Sequence, residues 1–533
     1  MKTHRLLAIF LTATLLLGSC QNFEELEKDP NRPGAVPASL VFNGILNDVY
    51  TEFGSNLQPW NDAHVWNQYN AVNYNYYGNN EYSWTGTTLN YQTLKNIVKM
   101  EEEAAKALGK DKANAYTALG KFLRAYFYYS MTMRVGDLPL MEALKGLENP
   151  VPKYDTQKDI FKEIIRLLDK SNEELAQLIA AKDNVLTNDK GDIYLGGDLA
   201  QWQKVVNTFK IRALIQLSKK ESDTELNIKA KFAEVLGNPA KFPILTAMTD
   251  NLQYNFNAAI NKYPTNPDNF GFDATRYNMA ATYIQTLTSL KDPRVFYGAE
   301  PAPKKIDAGL SPTSFDAFVG ASSGEDLSDM STKALNGEYS FYGRYRYYRT
   351  YTAEPAIIVG YPELCFNIAE AINRGWVTGS AEEFYRKGIQ TSQGSYGIKD
   401  GANTVKFLKR GAVGVTSESN YDTYTVNFTF DSYYGQAPVQ YAGNNASGLN
   451  QILTQKYLAF FQNSGFEAFY NQRRTGVPVF LTGTGTGNSG RIPKRFQYPS
   501  SERVTNSTNY NEALTRQFSN TTDNINELMW IVK

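Results

Sequence analysis

Apolar residues recur at every third or fourth position through much of the first 235 residues, and that period weakens afterwards. Residues 91–108 form one periodic stretch rich in Glu, Lys and Ala. Residues 112–135 form a second, with Tyr116, Leu119, Leu123, Phe127 and Met131 along one face. The pattern stops at Gly136-Asp137-Leu138-Pro139, where Gly and Pro break a helix. Thr156 and Asp159 make a capping box ahead of Ile160, Ile164, Leu167 and Leu168. Trp202, Val205, Val206, Phe209, Ala213 and Leu217 form another amphipathic stripe. Helical pairs joined by short breaks predict an array of the tetratricopeptide kind, although no strict repeat of about 34 residues aligns.

Residues 240–355 are instead rich in Tyr, Asn, Pro, Gly and Ser. Helix is expected again over 355–374, and a second capping box, Ser380 to Glu383, opens one reaching about residue 392. Residues 400–450 read as loops with short alternating pieces such as 424–430. One long helix is expected over 450–470, then a Gly/Thr-rich loop at 481–490 and an irregular C-terminal region. The expected fold is therefore mostly α. Tetratricopeptide-like helical pairs, mainly in 41–235 and 355–395, pack against a loop-rich, irregular part with little strand in 240–355 and 400–533. Loops this long in one body commonly form binding surfaces.

The N-terminus changes the setting. Lys2, His4 and Arg5 precede an apolar run at residues 6–17, too short to span a bilayer and suited to a secretion signal. It ends in Leu17-Gly18-Ser19-Cys20, a lipoprotein box whose small pair passes a signal peptidase and whose Cys20 thiol takes the lipid. Residues 1–19 are read as the signal, 20–40 as a lipidated start and acidic, Pro-containing tether, and 41–533 as the binding body. Several acyl chains anchor stably where one does not. The only other cysteine, Cys365, then has no disulfide partner and reads as a buried structural thiol.

The chain of 533 residues carries 54 basic and 54 acidic side chains, so it lacks the excess of cations a general nucleic-acid binder needs. Removal of the signal takes Lys2 and Arg5, leaving 52 against 54, a formal charge of −2. Aromatics reach 13%, with 36 Tyr, and the surface implied by Tyr and Asn suits stacking and hydrogen bonding to neutral polar ligands. The competing role for any one Tyr is core filling.

Two segments concentrate these residues. Residues 60–84 hold Trp60, His64, Trp66, Tyr69, Tyr74, Tyr76, Tyr77, Tyr82 and Trp84 among Asn61, Asn67, Asn70, Asn73, Asn75 and Asn79. Sugar rings pack an apolar C–H face on aromatic rings while their hydroxyls pair with amides. Residues 339–351 interleave Tyr342, Tyr345, Tyr347 and Tyr348 with Arg344, Arg346 and Arg349, and strand alternation would put Tyr345 and Tyr347 on one face and Arg344 and Arg346 on the other. The glycan-binding candidates are Trp66, Tyr76, Tyr77, Trp84, Asn79, Tyr342 and Tyr345. Arg473 and Arg474 could hold an anion, or pair with carboxylates near a helix end. Trp202 and Trp376 read as core. His64 alone cannot build a His-rich metal site, and no phosphate loop or nucleophile elbow is present. No catalytic residue, metal or cofactor is expected. A glycosidase needs only two carboxylates, so residue inventory by itself leaves that class open.

Several stretches, in their order, resemble the SusD/RagB-like outer-membrane nutrient-binding lipoproteins of Bacteroidetes, in particular the SusD-like, starch-binding-associated subfamily. They begin with Asp29-Pro30-Asn31, Lys121 to Tyr126 through Gly136-Asp137-Leu138-Pro139, and Asp198 to Trp202 through Arg212. Next come Leu364 to Ala371 with Arg374-Gly375-Trp376, and Ile452 to Tyr457 followed by Glu467 and Arg473 to Pro478. Arg491 to Arg495 with Tyr498-Pro499, Asn506 and Asn509-Tyr510 closes the series. The resemblance implies four tetratricopeptide-like helical pairs beside a loop-rich part. It also implies a SusC-like TonB-dependent barrel partner, over which the lipoprotein sits as a hinged lid, and binding without cleavage. The expected function is capture of oligo- or polysaccharides at the outer-membrane surface and their delivery to that transporter. A peptide-capturing or protein-interaction scaffold of the same fold is the alternative.

Overall fold

The computed structural model describes residues 36–54, 61–83, 86–109, 112–187 and 191–533. Cys20, the signal, most of the tether, Trp60 and Trp84 lie outside the described residues, as does the side chain of Tyr77. Among the described residues no helix is long and apolar enough to cross a membrane.

Five helices build the first half: α1 (Ala38–Gly54), α2 (Tyr91–Leu108), α3 (Ala115–Val135), α4 (Gln157–Ala181) and α5 (Leu199–Gln216). Each packs on the next. α1 buries Phe42, Ile45, Leu46 and Val49, the spacing of one helical face. α2 buries Leu94, Ile97, Met100 and Ala104 and exposes Lys99, which pairs with Glu103 at 2.7 Å. Outer helices need one apolar stripe, whereas α3 and α5 bury nearly their whole surface because neighbours cover them. Their starts follow the capping chemistry in the sequence. Asn114 and Thr117 cap each other at α3, the Thr156 hydroxyl accepts from Asp159 N–H at α4, and Asp198 accepts from Gln201 N–H at α5.

The array continues through α6 (Ile228–Gly237), α7 (Ala281–Ser289) and α8 (Leu327–Leu335). It then runs through α9 (Tyr361–Asn373), α10 (Ala381–Gly394), α11 (Ala446–Ala459), α12 (Glu467–Thr475) and α13 (Ser507–Phe518). α9 packs against α5, α10 and α11 and so joins the two halves. Ser380 caps α10, as its capping box implies. Among the described residues strand is limited to three antiparallel pairs: β1 (Asn70–Val72) with β3 (Tyr277–Met279), β2 (Leu252–Tyr254) with β4 (Ala356–Val359), and β5 (Gly401–Leu408) with β6 (Tyr421–Phe428).

Four local expectations need correction. The helix expected from 355 begins only at Tyr361, because Ile357, Ile358 and Val359 are β-branched and pair with β2, while Pro362 suits a helix start. The long helix expected over 450–470 is two helices. Between them Gln462, Ser464 and Gly465 adopt positive φ of 65°, 58° and 56°. The break frees Ser464 N–H to donate to Ile357 O at 2.9 Å and Gly465 O to accept from the Asn67 amide at 2.9 Å. Residues 400–450 hold a regular hairpin of two eight-residue strands rather than loops. The C-terminal region, expected to be irregular, contains α13, which buries Tyr510, Ala513, Leu514 and Phe518.

Many of the residues that carry the family resemblance meet in one buried polar cluster. Arg474 pairs with Glu370 at 2.9 Å, Arg212 with Glu363 at 2.8 Å, and Lys456 donates to Asn367 at 2.6 Å and Asn471 at 2.9 Å. Glu467 accepts from Tyr129 and Gln216, each at 2.9 Å. Burial opposes ionisation of Glu370, but the Arg474 guanidinium overcomes it and holds the carboxyl at about 2. A buried charge left alone is costly, so these partners lock α5, α9, α11 and α12 into one arrangement.

Candidate functional site

The segment after α1 divides in two. Asp62–Trp66 forms one helical turn, and Asn70–Val72 then pairs with Tyr277–Met279. Here the aromatic and amide groups face inward. Tyr69 is buried, stacks on Tyr457 at 4.8 Å and donates to Tyr457 O at 2.6 Å. Tyr82 is buried and donates to Trp66 O at 2.9 Å, and the Asn73 amide donates to Thr275 O at 3.1 Å. His64 is buried as well.

Past Asn73 the chain turns outward. Asn75–Tyr77 is a single 3-10 turn, closed by Gly78 at φ 119°, a conformation that side chains beyond glycine rarely adopt. Tyr76 is 81% exposed and Tyr74 42% exposed, and Asn75, Asn79 and Gly78 are exposed beside them. The Asn79 side-chain oxygen accepts from Glu81 N–H at 2.9 Å. The loop therefore presents large rings and amide groups to water, the surface a polyhydroxylated ligand would meet. Tyr74 also lines a cleft of about 510 Å³ with Arg276, Ser331, Asn336, Phe341 and Arg410.

Trp66 lines a different cleft from Tyr74. It is half-buried, stacks on Phe466 at 6.2 Å and meets the edge of Phe496 at 5.8 Å, and its Nε1–H donates to Glu81 O at 3.2 Å. It lines a second cleft, about 640 Å³, with Asp62, Thr88, Asn90 and Arg134.

The 339–351 segment behaves differently from the strand expected there. Arg344–Tyr347 is one helical turn, which puts Tyr342, Tyr347 and Tyr348 into the core with no exposed surface. Tyr342 stacks on Tyr347 at 4.2 Å and packs edge-on against Phe461 at 6.0 Å. As a ligand contact Tyr342 is thus corrected: it has no face left to offer. Arg344 is buried with them and donates to Tyr342 O at 2.6 Å. Tyr345 remains half-exposed in a cleft of about 440 Å³ with Arg346, Arg349 and Lys406. Arg349 and Lys406 already lie against its ring at 4.5 and 4.9 Å, and its hydroxyl donates to Glu418 at 3.0 Å. Beneath this cleft burial pushes the Glu300 carboxyl up to about 7, with Arg344 opposing part of the rise. Burial does the same to Asp273, again to about 7 and again against Arg344.

The remaining sequence candidates resolve into packing. Arg474 pairs with a helix carboxylate, whereas Arg473 donates to the main-chain oxygens of Met133 and Lys494. Trp202 and Trp376 are buried and donate to Asp192 and Glu221. Cys365 is buried, and burial pushes its thiol up to about 12, far from a reactive thiolate. Arg276 is a site residue that sequence reasoning did not single out. It stands alone in its stretch, and only β3 brings it beside Tyr74.

Comparison with known proteins agrees with this architecture. The SusD-like family described as starch-binding, associating with outer membrane, matches residues 30–499. No curated protein matches the chain. A SusD homologue of Bacteroides fragilis is 30% identical with a TM-score of 0.77, over 93% of this chain and 100% of that one. A Bacteroides vulgatus protein, described as a candidate outer-membrane protein for nutrient binding, is 26% identical with a TM-score of 0.75, over 93% and 100% of the two chains. A chitin-binding SusD homologue of Flavobacterium johnsoniae shares the fold at 19% identity and a TM-score of 0.67, over 92% of this chain and 98% of that one.

Proposed function

The chain belongs to the SusD-like family of starch-binding, outer-membrane-associated proteins, and from that premise we propose that it captures oligo- or polysaccharides at the cell surface without cleaving them. In this reading Cys20 carries the lipid anchor, and the captured glycan passes to a SusC-like TonB-dependent transporter. The observation that carries the proposal is the loop around Tyr74, Tyr76 and Asn79, whose rings and amides face water although a chain of this size could bury them. Rings take the C–H face of a sugar, and amides take its hydroxyls. Tyr77 and Trp84 remain candidates on their sequence alone, and Trp66 and Tyr345 supply separate contacts in their own clefts.

Affinity electrophoresis of the purified protein through gels containing single polysaccharides tests this. Retardation by one polysaccharide class is expected. No retardation in any gel would shift the ligand to a peptide and defeat the glycan reading. Release of reducing sugar from a bound polymer would defeat the proposal of binding without cleavage.

A further inference from the structure

We propose that the cleft beside Tyr74 selects sugars bearing an anionic group, a carboxylate or a sulfate, and that Arg276 is the residue that reads that charge. The inference rests on the capture of glycans proposed above and names the chemical class of the ligand.

Four observations lead to it. The Arg276 guanidinium lies over the Tyr74 ring, 4.5 Å from its centre. That contact holds the cation at the wall of the cleft and keeps its planar fork oriented. The cleft has two other charged residues in its lining, Arg410 and Asp307, and they pair with each other at 2.6 Å. Among the described residues no carboxylate forms an ion pair with Arg276, so the cleft keeps one unbalanced positive charge. Asn336 is exposed at the same wall, with an amide available to a hydroxyl.

Most other arginines on this molecule are spoken for. Arg346 pairs with Glu354, Arg349 with Glu418, Arg374 with Glu370 and Arg516 with Asp137. A half-exposed arginine with an aromatic support and no counter-charge matches an incoming carboxylate or sulfate, which it can bind through two parallel N–H donors. The exposed part of Tyr74 then accepts the C–H face of the same ring. A neutral sugar could use Tyr74 and Asn336 but would leave the guanidinium without an anion.

The test uses two polymers with one backbone, polygalacturonate and its fully methyl-esterified form, with dextran sulfate and dextran as the sulfate pair. Binding to the purified protein is measured by titration calorimetry at low salt, where an exposed charge contact is least screened. The acidic member of at least one pair is expected to bind about tenfold or more tightly than its neutral partner. Arg276→Gln should abolish that preference by weakening the acidic member far more than the neutral one, while Tyr74→Ala should weaken both members alike. Melting curves of both variants check their folding.

Preference for polygalacturonate alone assigns the carboxylate, and preference for dextran sulfate alone assigns the sulfate. Equal binding of acidic and neutral members, or a preference that survives Arg276→Gln, overturns the inference while glycan capture stands. Binding of a neutral glucan with no binding of either acidic polymer also overturns it. Failure to bind any polysaccharide overturns the inference and the capture proposal together.

Discussion

Residues 61–83 and 339–351 have similar chemistry in sequence, each mixing tyrosines with polar partners, and the fold uses them in opposite ways. In 339–351 one helical turn gathers Tyr342 and Tyr347 against Phe461, which sits just after α11, at the break before α12, with Tyr348 edge-on to Tyr342. Arg344 enters with them because carbonyl oxygens wait to accept its N–H groups. In 61–83 the short pairing of β1 with β3 pins the first part, and a glycine turn then carries Tyr74 and Tyr76 away from the body. Aromatic enrichment therefore marks where rings are needed, but neighbours decide whether they become core or surface.

The sharpest way to break that comparison is to truncate one ring from each segment. Tyr342→Ala should cost roughly 3–5 kcal/mol of stability, read by chemical denaturation, because it empties a packed site. A loss below about 1 kcal/mol would mean that Tyr342 does not occupy the core. Tyr76→Ala should leave stability within about 0.5 kcal/mol, since the side chain is 81% exposed. It should instead weaken glycan retardation about three- to tenfold, the scale of one aromatic stacking contact. Unchanged retardation would move the site away from the loop tip.

The smallest effect is in the pH dependence. Glu300 and Asp273 titrate near 7 in the folded chain, against ordinary values of 4.5 and 3.8. The folded chain thus keeps protons that the unfolded chain releases, and stability falls as pH rises from about 4 to about 7. Glu300→Gln should flatten the decline of melting temperature between pH 5 and 8. Glu370 works in the other direction: its depressed value stabilises the helical half above about 4.5, and that contribution is lost as pH falls toward 2. An unaltered slope in Glu300→Gln would remove Glu300 as its source.

Much of the helical half was legible because its information is local. The boundaries at Tyr91, Leu108 and Val135, and the caps at Thr156 and Ser380, follow from side-chain period and from residues that bond their own helix ends. The binding candidates were legible only by type. Tyr76 and Asn79 proved exposed, Tyr342 buried, and Tyr345 half-covered by cations, although nothing in their own sequence separates them.

By itself, then, the sequence determined the mostly helical class, the capped helix starts after Thr156, Asp198 and Ser380, and the family, since periodicity, capping and ordered motifs all operate along the chain. The tertiary structure alone decided the break between α11 and α12, the strand at Ala356–Val359, the meeting of Tyr74 with Arg276, and which tyrosines face water. Those features depend on partners more than 100 residues away, such as Ile357 for Ser464 and Thr275 for Asn73, and burial is a property of what lies opposite a side chain rather than of the side chain itself.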